Sequence, residues 1–317
     1  MNKQQKILQG ISVSPRVLLV LIIVVGGIWW YSREEVARAP RETPPRAQNA
    51  VLSLIQGSAQ KEETSIPASV NDVIPAQGVL VPVDFGDLGP KLVEKGVIDK
   101  EKFLSIYAGN EAIRKEAEGL LAGTARGGVV ITPLNAPVIL NFLWAFGLGN
   151  KNRILEEGPM MDAKYGGAGN FASTGGWTLA RGNAMEHYSK YALVELTSEQ
   201  QSLVERVSKN VYRPCCGNST YFPDCNHGMA MLGLLELLAA QGATEDEMYR
   251  VALSVNAYWF PDTYLTIAKY LASKGRVWAE ADPKELLGAA YSSGSGYRNI
   301  ASQVEGVKSG GGSCGVE

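Results

Sequence analysis

Val17 to Tyr31 reads VLLVLIIVVGGIWWY, an apolar run without a charge that closes on Trp29, Trp30 and Tyr31. No other feature restricts this chain as strongly, because a stretch so apolar must cross lipid, be removed, or be buried in protein. Aromatic rings with a polar edge favour the headgroup layer, so the run reads as a hydrocarbon stretch followed by its interfacial belt. At about 15 residues it is shorter than the ~20 of an ordinary spanning helix. Arg16 can snorkel and lend its alkyl stem, and the apolar Ile11 and Val13 lie just beyond it. Residues 1–16 are therefore read as a tail and 17–31 as a single transmembrane anchor. A cleaved signal peptide, whose apolar region has the same length, is the competing reading. The nearby small-x-small site, Ala37-Arg38-Ala39, is followed by Pro40 and lies far from the run.

Lys3, Lys6 and Arg16 precede the run while Arg33, Arg38, Arg41 and Arg46 follow it, so basic residues alone do not choose a side. A short N-terminus free of acidic residues fits a signal-anchor with that end in the cytoplasm, which puts the following domain outside it.

Residues 32–78 are rich in Pro, Arg, Glu, Ser and Gln, with only VLSLI at 51–55 apolar. Such a segment cannot offset its ordering entropy and reads as a linker or stalk. A folded domain is expected over 79–305, with a sub-boundary near 150–183, and a flexible Gly-rich tail over 306–317. The 45% hydrophobic content of the 317 residues suffices for a large core. Thirty basic residues against 32 acidic ones leave no positive field for nucleic acid, which is excluded as a partner. The membrane is the expected partner, and no protein partner can be named from the sequence.

The periodicity predicts a mainly α domain with minor β in its loops. Leu88, Leu92 and Val93 line one short amphipathic segment, and Phe103, Leu104 and Tyr107 line the next. Asn110 caps a helix that ends at Gly123. Thr132 to Gly147 is apolar on nearly every face and must be buried. Lys164 to Asn183 carries six glycines and reads as a long surface loop or short hairpin. Thr197-Ser198-Glu199-Gln200 is a capping box opening a helix to about Tyr212. Further helices are expected from Gly228 to Ala240, from a Thr244 cap to Trp259, from an Asp262 cap to Gly275, and around Pro283 to Ala290.

The chemistry concentrates in Tyr212-Arg213-Pro214-Cys215-Cys216-Gly217-Asn218-Ser219-Thr220-Tyr221-Phe222-Pro223-Asp224-Cys225-Asn226-His227-Gly228-Met229. Three of the four cysteines and one of the two histidines of the chain fall here. Buried structural thiols sit scattered on apolar helix faces, whereas these lie in a punctuated loop between two helices. Phe222-Pro223-Asp224 is echoed by Phe260-Pro261-Asp262, so both aspartates are read as N-caps. Cys225 would then occupy a first turn, where the helix dipole favours a thiolate. Within a regular helix Cys225 and His227 point to different faces, and they can share a metal only if the helix starts later. His227 and Met231, four apart, share a face, with Met229 nearby.

Three thiolates with an imidazole form the ligand set of a closed zinc site, and soft sulfur with methionine suits copper(I). The candidate metal or redox residues are Cys215, Cys216, Cys225, His227 and, on the flexible arm, Cys314, with Met229, Met231, His187 and Asp224 as accessories. The spacing C-C-x8-C-x-H matches no standard finger or ribbon. Exchanging redox thiols and a structural disulfide from Cys215 or Cys216 to Cys225 are the rival readings, the last belonging to a non-catalytic binding or scaffolding domain.

Other signals are weaker. His187 lies on an expected helix without an HExxH partner and suits a surface or core position. The glycine-rich stretch lacks a phosphate-loop or dinucleotide fingerprint. Asn218-Ser219-Thr220 matches a glycan acceptor by letter only. A thiol hydrolase using Cys225 with His187 or His227 has its minimal parts but no local signature. Tyr258, Trp259, Phe260 and Tyr264 suit either a ligand groove or core packing.

Overall fold

Two helices that are apolar on nearly every face organise the domain, because such helices must be surrounded by protein. The computed structural model describes residues 69–304. The expected tail, anchor, most of the linker and the Cys314 arm lie outside the described residues. Among the described residues no helix is long and apolar enough to cross a membrane.

The described chain opens with α1 (Val70–Val73) and β1 (Val79–Val81), followed by α2 (Leu88–Lys95), α3 (Lys100–Ile106) and α4 (Glu111–Ala122). Then come β2 (Val129–Ile131), α5 (Ala136–Gly149), α6 (Arg153–Glu157) and α7 (Ser198–Ser208). The remainder is α8 (Asn226–Ala240), α9 (Glu245–Trp259), α10 (Pro261–Ser273), α11 (Pro283–Leu287), α12 (Ala289–Ser292) and α13 (Gly294–Ala301). The fold is mainly α. Its minor β is one antiparallel pair, with Val79 opposite Ile131, Leu80 opposite Val130 and Val81 opposite Val129.

α5 and α8 pack against each other more extensively than any other pair, and both are buried along nearly their whole length. Two glycines permit the approach. A Cβ on Gly147 would lie 2.2 Å from the Met229 carbonyl oxygen, and one on Gly233 would lie 2.8 Å from that of Leu143. One ionisable side chain is buried in this pair: Glu236, fully enclosed on α8, accepts a hydrogen bond from Asn150 Nδ2. Asn150 Oδ1 in turn accepts from the amides of Leu193 and Val194, each at 3.0 Å, which ties the loop before α7 to α8. Burial pushes the Glu236 carboxyl up to about 8, while hydrogen bonds from Asn150 and Asn152 pull the other way.

Local signals in the sequence set several boundaries. Asn110 caps α4 through the Ile113 amide, and Gly123 closes that helix in the left-handed region at φ 72°. The Thr197 and Thr244 capping boxes are both formed, but α7 ends at Ser208, earlier than expected. The core also begins before Val79, since Val73 and Ile74 are buried in it.

The glycine-rich stretch is irregular, as expected, and forms no hairpin, but only part of it lies at the surface. It is a succession of short 3-10 turns, including Ala163–Tyr165 and Ala168–Asn170, whose later part is packed inside. Ser173, Thr174, Trp177, Leu179 and Ala180 are buried. Trp177 donates its indole N–H to the Val97 carbonyl at 2.8 Å, and its ring lies 4.8 Å from that of Trp144. Two tryptophans with hydrogen-bonded indoles outweigh the tendency of glycine-rich chain to stay at the surface. The C-terminal Gly/Ser segment is likewise ordered through Ala301, because Ser293 caps α13 by accepting from the Gly296 amide.

Candidate metal centre

The cysteine loop is held from every side by backbone hydrogen bonds. Tyr212 and Ser219 form an antiparallel bridge, and Thr220 donates to the Val211 carbonyl at 2.8 Å. Gly294, the first residue of α13, donates to the Cys216 carbonyl at 2.7 Å, and Ser173 of the glycine-rich stretch donates to that of Asp224 at 3.2 Å. Beneath the loop Asn256 Nδ2 donates to the Tyr212 carbonyl and to the Tyr264 hydroxyl. That hydroxyl lies 2.8 Å from Ser292 Oγ, and burial pushes its pKa up to about 12.

On this frame the sulfurs of Cys215, Cys216 and Cys225 all lie within 4.8 Å of one another. Cys215 Sγ and Cys225 Sγ are in contact at 3.5 Å. Such a cluster can hold a metal ion. Cys215 and Cys216 are half-buried and Cys225 is 4% exposed, so the triad is open on the Cys215/Cys216 side.

Cys225 is the N-cap of α8, and its sulfur accepts from the Gly228 amide at 3.4 Å. The expected Asp224 cap is therefore corrected by one residue. Asp224 is engaged elsewhere, accepting from Arg213 Nη2 at 2.7 Å and from Asn218 Nδ2 at 2.8 Å. The parallel expectation for Asp262 is also corrected: Phe260 is the cap residue and Pro261 opens α10, since proline is preorganised for a first helical position and has no amide to satisfy.

Arg213 is the residue that sequence reasoning missed. Its side chain is completely buried, and its Nη2 reaches Cys216 Sγ at 3.2 Å as well as Asp224. Nε and Nη1 find no hydrogen-bond partner among the described residues. Burial disfavours the guanidinium charge, but Cys225, Cys216, Cys215 and Asp224 outweigh it and hold the group above its ordinary pKa. A permanent cation thus lies against the triad, favouring thiolate. The Cys215 hydrogen bond acts the same way on Cys216, yet hydrogen bonding with Cys225 together with burial leaves the Cys216 thiol raised. The signal in the sequence was an arginine two residues ahead of the cysteine pair and a glycine directly after His227. A Cβ at Gly228 would lie 2.7 Å from Arg213 Cζ, so the glycine makes room for the guanidinium.

The other candidates divide. His227 is adjacent but is not among the ligand atoms that lie within 4.8 Å of one another. It is 7% exposed and packs on Phe260 at 4.4 Å between ring centroids. Its Nδ1 lies 2.9 Å from Asn226 Oδ1, an acceptor, which makes Nδ1 the protonated nitrogen of the neutral ring and leaves the lone pair on Nε2. Burial pushes its pKa down to about 4, with Arg213 acting the same way and Cys225 opposing. Met229 and Met231 are fully buried core residues. His187 sits at the end of a 3-10 turn, not on an α-helix, with Nε2 donating to the Arg181 carbonyl at 2.8 Å and Nδ1 3.0 Å from the Tyr191 hydroxyl. Tyr258, Phe260 and Tyr264 are buried in the core. In the acceptor-like tripeptide, Asn218 is bound to Asp224 and Thr220 is fully buried. Cys314 lies outside the described residues.

Comparison with known protein families, with curated proteins and with solved structures finds no match to this chain.

Proposed function

We propose that the chain is a membrane-anchored, extracytoplasmic protein whose Cys215/Cys216/Cys225 loop binds one borderline or soft metal ion, zinc or copper(I). The observation that carries this reading is the mutual approach of three sulfurs to within 4.8 Å over a buried arginine. Thiolates around a tetrahedral zinc lie about 3.8 Å apart, given a Zn–S distance of about 2.3 Å. The 3.5 Å Cys215–Cys225 contact is close to that spacing. Against the Cys215 hydrogen bond, hydrogen bonding with Cys225 and burial hold the Cys216 thiol above its ordinary range, and a bound metal ion would favour the thiolate.

Charge favours zinc. Three thiolates with a divalent ion carry one net negative charge, whereas copper(I) leaves two, and the Arg213 guanidinium already serves Asp224. The fourth zinc position falls to Cys314 or to a water molecule. Membrane anchoring rests on the Val17 to Tyr31 run, and the orientation on the short N-terminus free of acidic residues.

Elemental analysis of the full-length chain purified without chelator, paired with a free-thiol count, tests the metal assignment. Stoichiometric metal that is lost in Cys225→Ser is the expected result. Absence of metal, with two cysteines permanently oxidised and reductant lowering only stability, would overturn it in favour of a scaffolding domain with a structural disulfide.

A further inference from the structure

We infer that the metal centre is redox-gated: Cys215 and Cys225 form the pair that oxidises to a disulfide, Cys216 stays a thiol, and the bound ion leaves as the bond forms. This rests on the metal reading, but the choice of pair follows from the geometry by itself.

Three cysteines allow three pairings, and the surroundings separate them. Cys215 Sγ and Cys225 Sγ are already in contact at 3.5 Å, with nine loop residues between them to absorb the closure to the ~2.05 Å of a disulfide. The Cys215–Cys216 pairing would close a ring between sequence neighbours, against the Cβ separation of ~3.8 Å that a relaxed disulfide needs. Cys216, though part of the cluster, is anchored by further contacts: Arg213 Nη2 donates to its sulfur at 3.2 Å, and the sulfur sits 3.9 Å from both the Asn218 carbonyl and Asp224 Oδ1. Arg213 is fully buried and paired with Asp224, so this anchor does not swing.

Exposure sets the order of events. The half-buried Cys215 is reachable from solvent, whereas Cys225 is 4% exposed beneath it. With a small-molecule disulfide RSSR as oxidant, the Cys215 thiolate attacks one sulfur of RSSR, a mixed disulfide forms on Cys215, and one RS⁻ leaves. Cys225, whose sulfur accepts from the Gly228 amide at the N-terminus of α8, then attacks the Cys215 sulfur and expels the second RS⁻. Two electrons pass from the cysteine sulfurs to RSSR, and any protons lost from the thiols go to the two RS⁻ groups. Of the three loop thiolates only Cys216 then remains, and a site reduced by two of its sulfur ligands no longer retains the ion.

The test uses the reduced, zinc-loaded full-length chain titrated with oxidised glutathione. Zinc release is followed with a chromogenic chelator, and disulfides are mapped by alkylation and peptide mass spectrometry. One Cys215–Cys225 disulfide per zinc released is expected, with Cys216 recovered alkylated. Cys225→Ser should stall with glutathione on Cys215, Cys215→Ser should accumulate neither adduct nor loop disulfide, and Cys216→Ser should still form the bond. A disulfide involving Cys216, or a glutathione adduct accumulating on Cys216 in the wild type, would overturn the assignment. Zinc that binds but is retained through oxidation defeats the gating and leaves the metal reading standing. Formation of the Cys215–Cys225 bond in a chain that never binds metal defeats the metal reading and its release, leaving the pairing intact.

Discussion

Replacing Gly228 with alanine sets helix propensity against tertiary packing, and the two give opposite signs. In a helix, alanine exceeds glycine by up to about 1 kcal/mol. Gly228 is the third residue of α8, so propensity alone makes Gly228→Ala neutral or stabilising. The structure says otherwise. The new Cβ would lie 2.7 Å from Arg213 Cζ, 2.9 Å from Nη2 and 3.0 Å from Nε. These atoms are not the far end of a side chain free to move aside, since the guanidinium is fully buried and bound to Asp224 at 2.7 Å. Overpacking of this kind costs about 1–3 kcal/mol, and displacing Arg213 from Asp224 costs about 3–5 kcal/mol, so the cheaper strain sets the outcome. After the propensity gain, Gly228→Ala should lose about 1–2 kcal/mol, or roughly 2–8 °C in Tm for a domain of this size. Chemical and thermal denaturation under reducing conditions with chelator present would measure this free of metal linkage. Gly109→Ala serves as the control, because its Cβ meets nothing within 4 Å. The same variant should slow the reaction of Cys216 with Ellman's reagent, because the guanidinium moves from a sulfur it holds at 3.2 Å. A Gly228→Ala chain as stable as wild type, with unchanged thiol kinetics, would refute the claim that this glycine exists to seat Arg213.

Glu236 gives a pH signature. Its folded pKa, raised by burial to about 8 from 4.5, means the native state keeps a proton that the unfolded chain has released, so its contribution is full below about 4.5 and is lost as pH rises toward 8. Between pH 6.5 and 7.5 the wild type should lose about 1 kcal/mol relative to Glu236→Gln, and parallel urea-denaturation curves across that interval would contradict the assignment. At the crossing of α5 and α8, Gly147→Ala should cost at least ~3 kcal/mol and more than Gly233→Ala, following the 2.2 and 2.8 Å approaches of the new Cβ atoms; equal stabilities by chemical denaturation would argue against so close a crossing. Thr244→Ala removes the cap that accepts from the Glu247 amide and should cost about 1 kcal/mol, with hydrogen exchange accelerated first in the opening turn of α9.

What the sequence determined by itself is what short-range physics encodes. The caps at Asn110 and Thr244, the Thr197 capping box and the burial of α5 follow from side chains acting within a turn or from an apolar surface with no polar face. The gathering of three cysteines in one punctuated loop was legible for the same reason. Tertiary structure decided everything that depends on partners brought in from elsewhere. The first residue of α13 closes over Cys216, and the glycine-rich stretch pins Asp224, at sequence separations that periodicity does not register. Two tryptophans drew that stretch inside. Arg213 took Asp224 as its counter-ion, which removed the aspartate from the cap and left Cys225 to cap α8 with its sulfur. A one-residue change in where a helix begins separates a thiol on a helix face from a thiol aimed at the helix amides. That difference came from a buried charge needing a partner, a demand that exists only once the chain has folded around it.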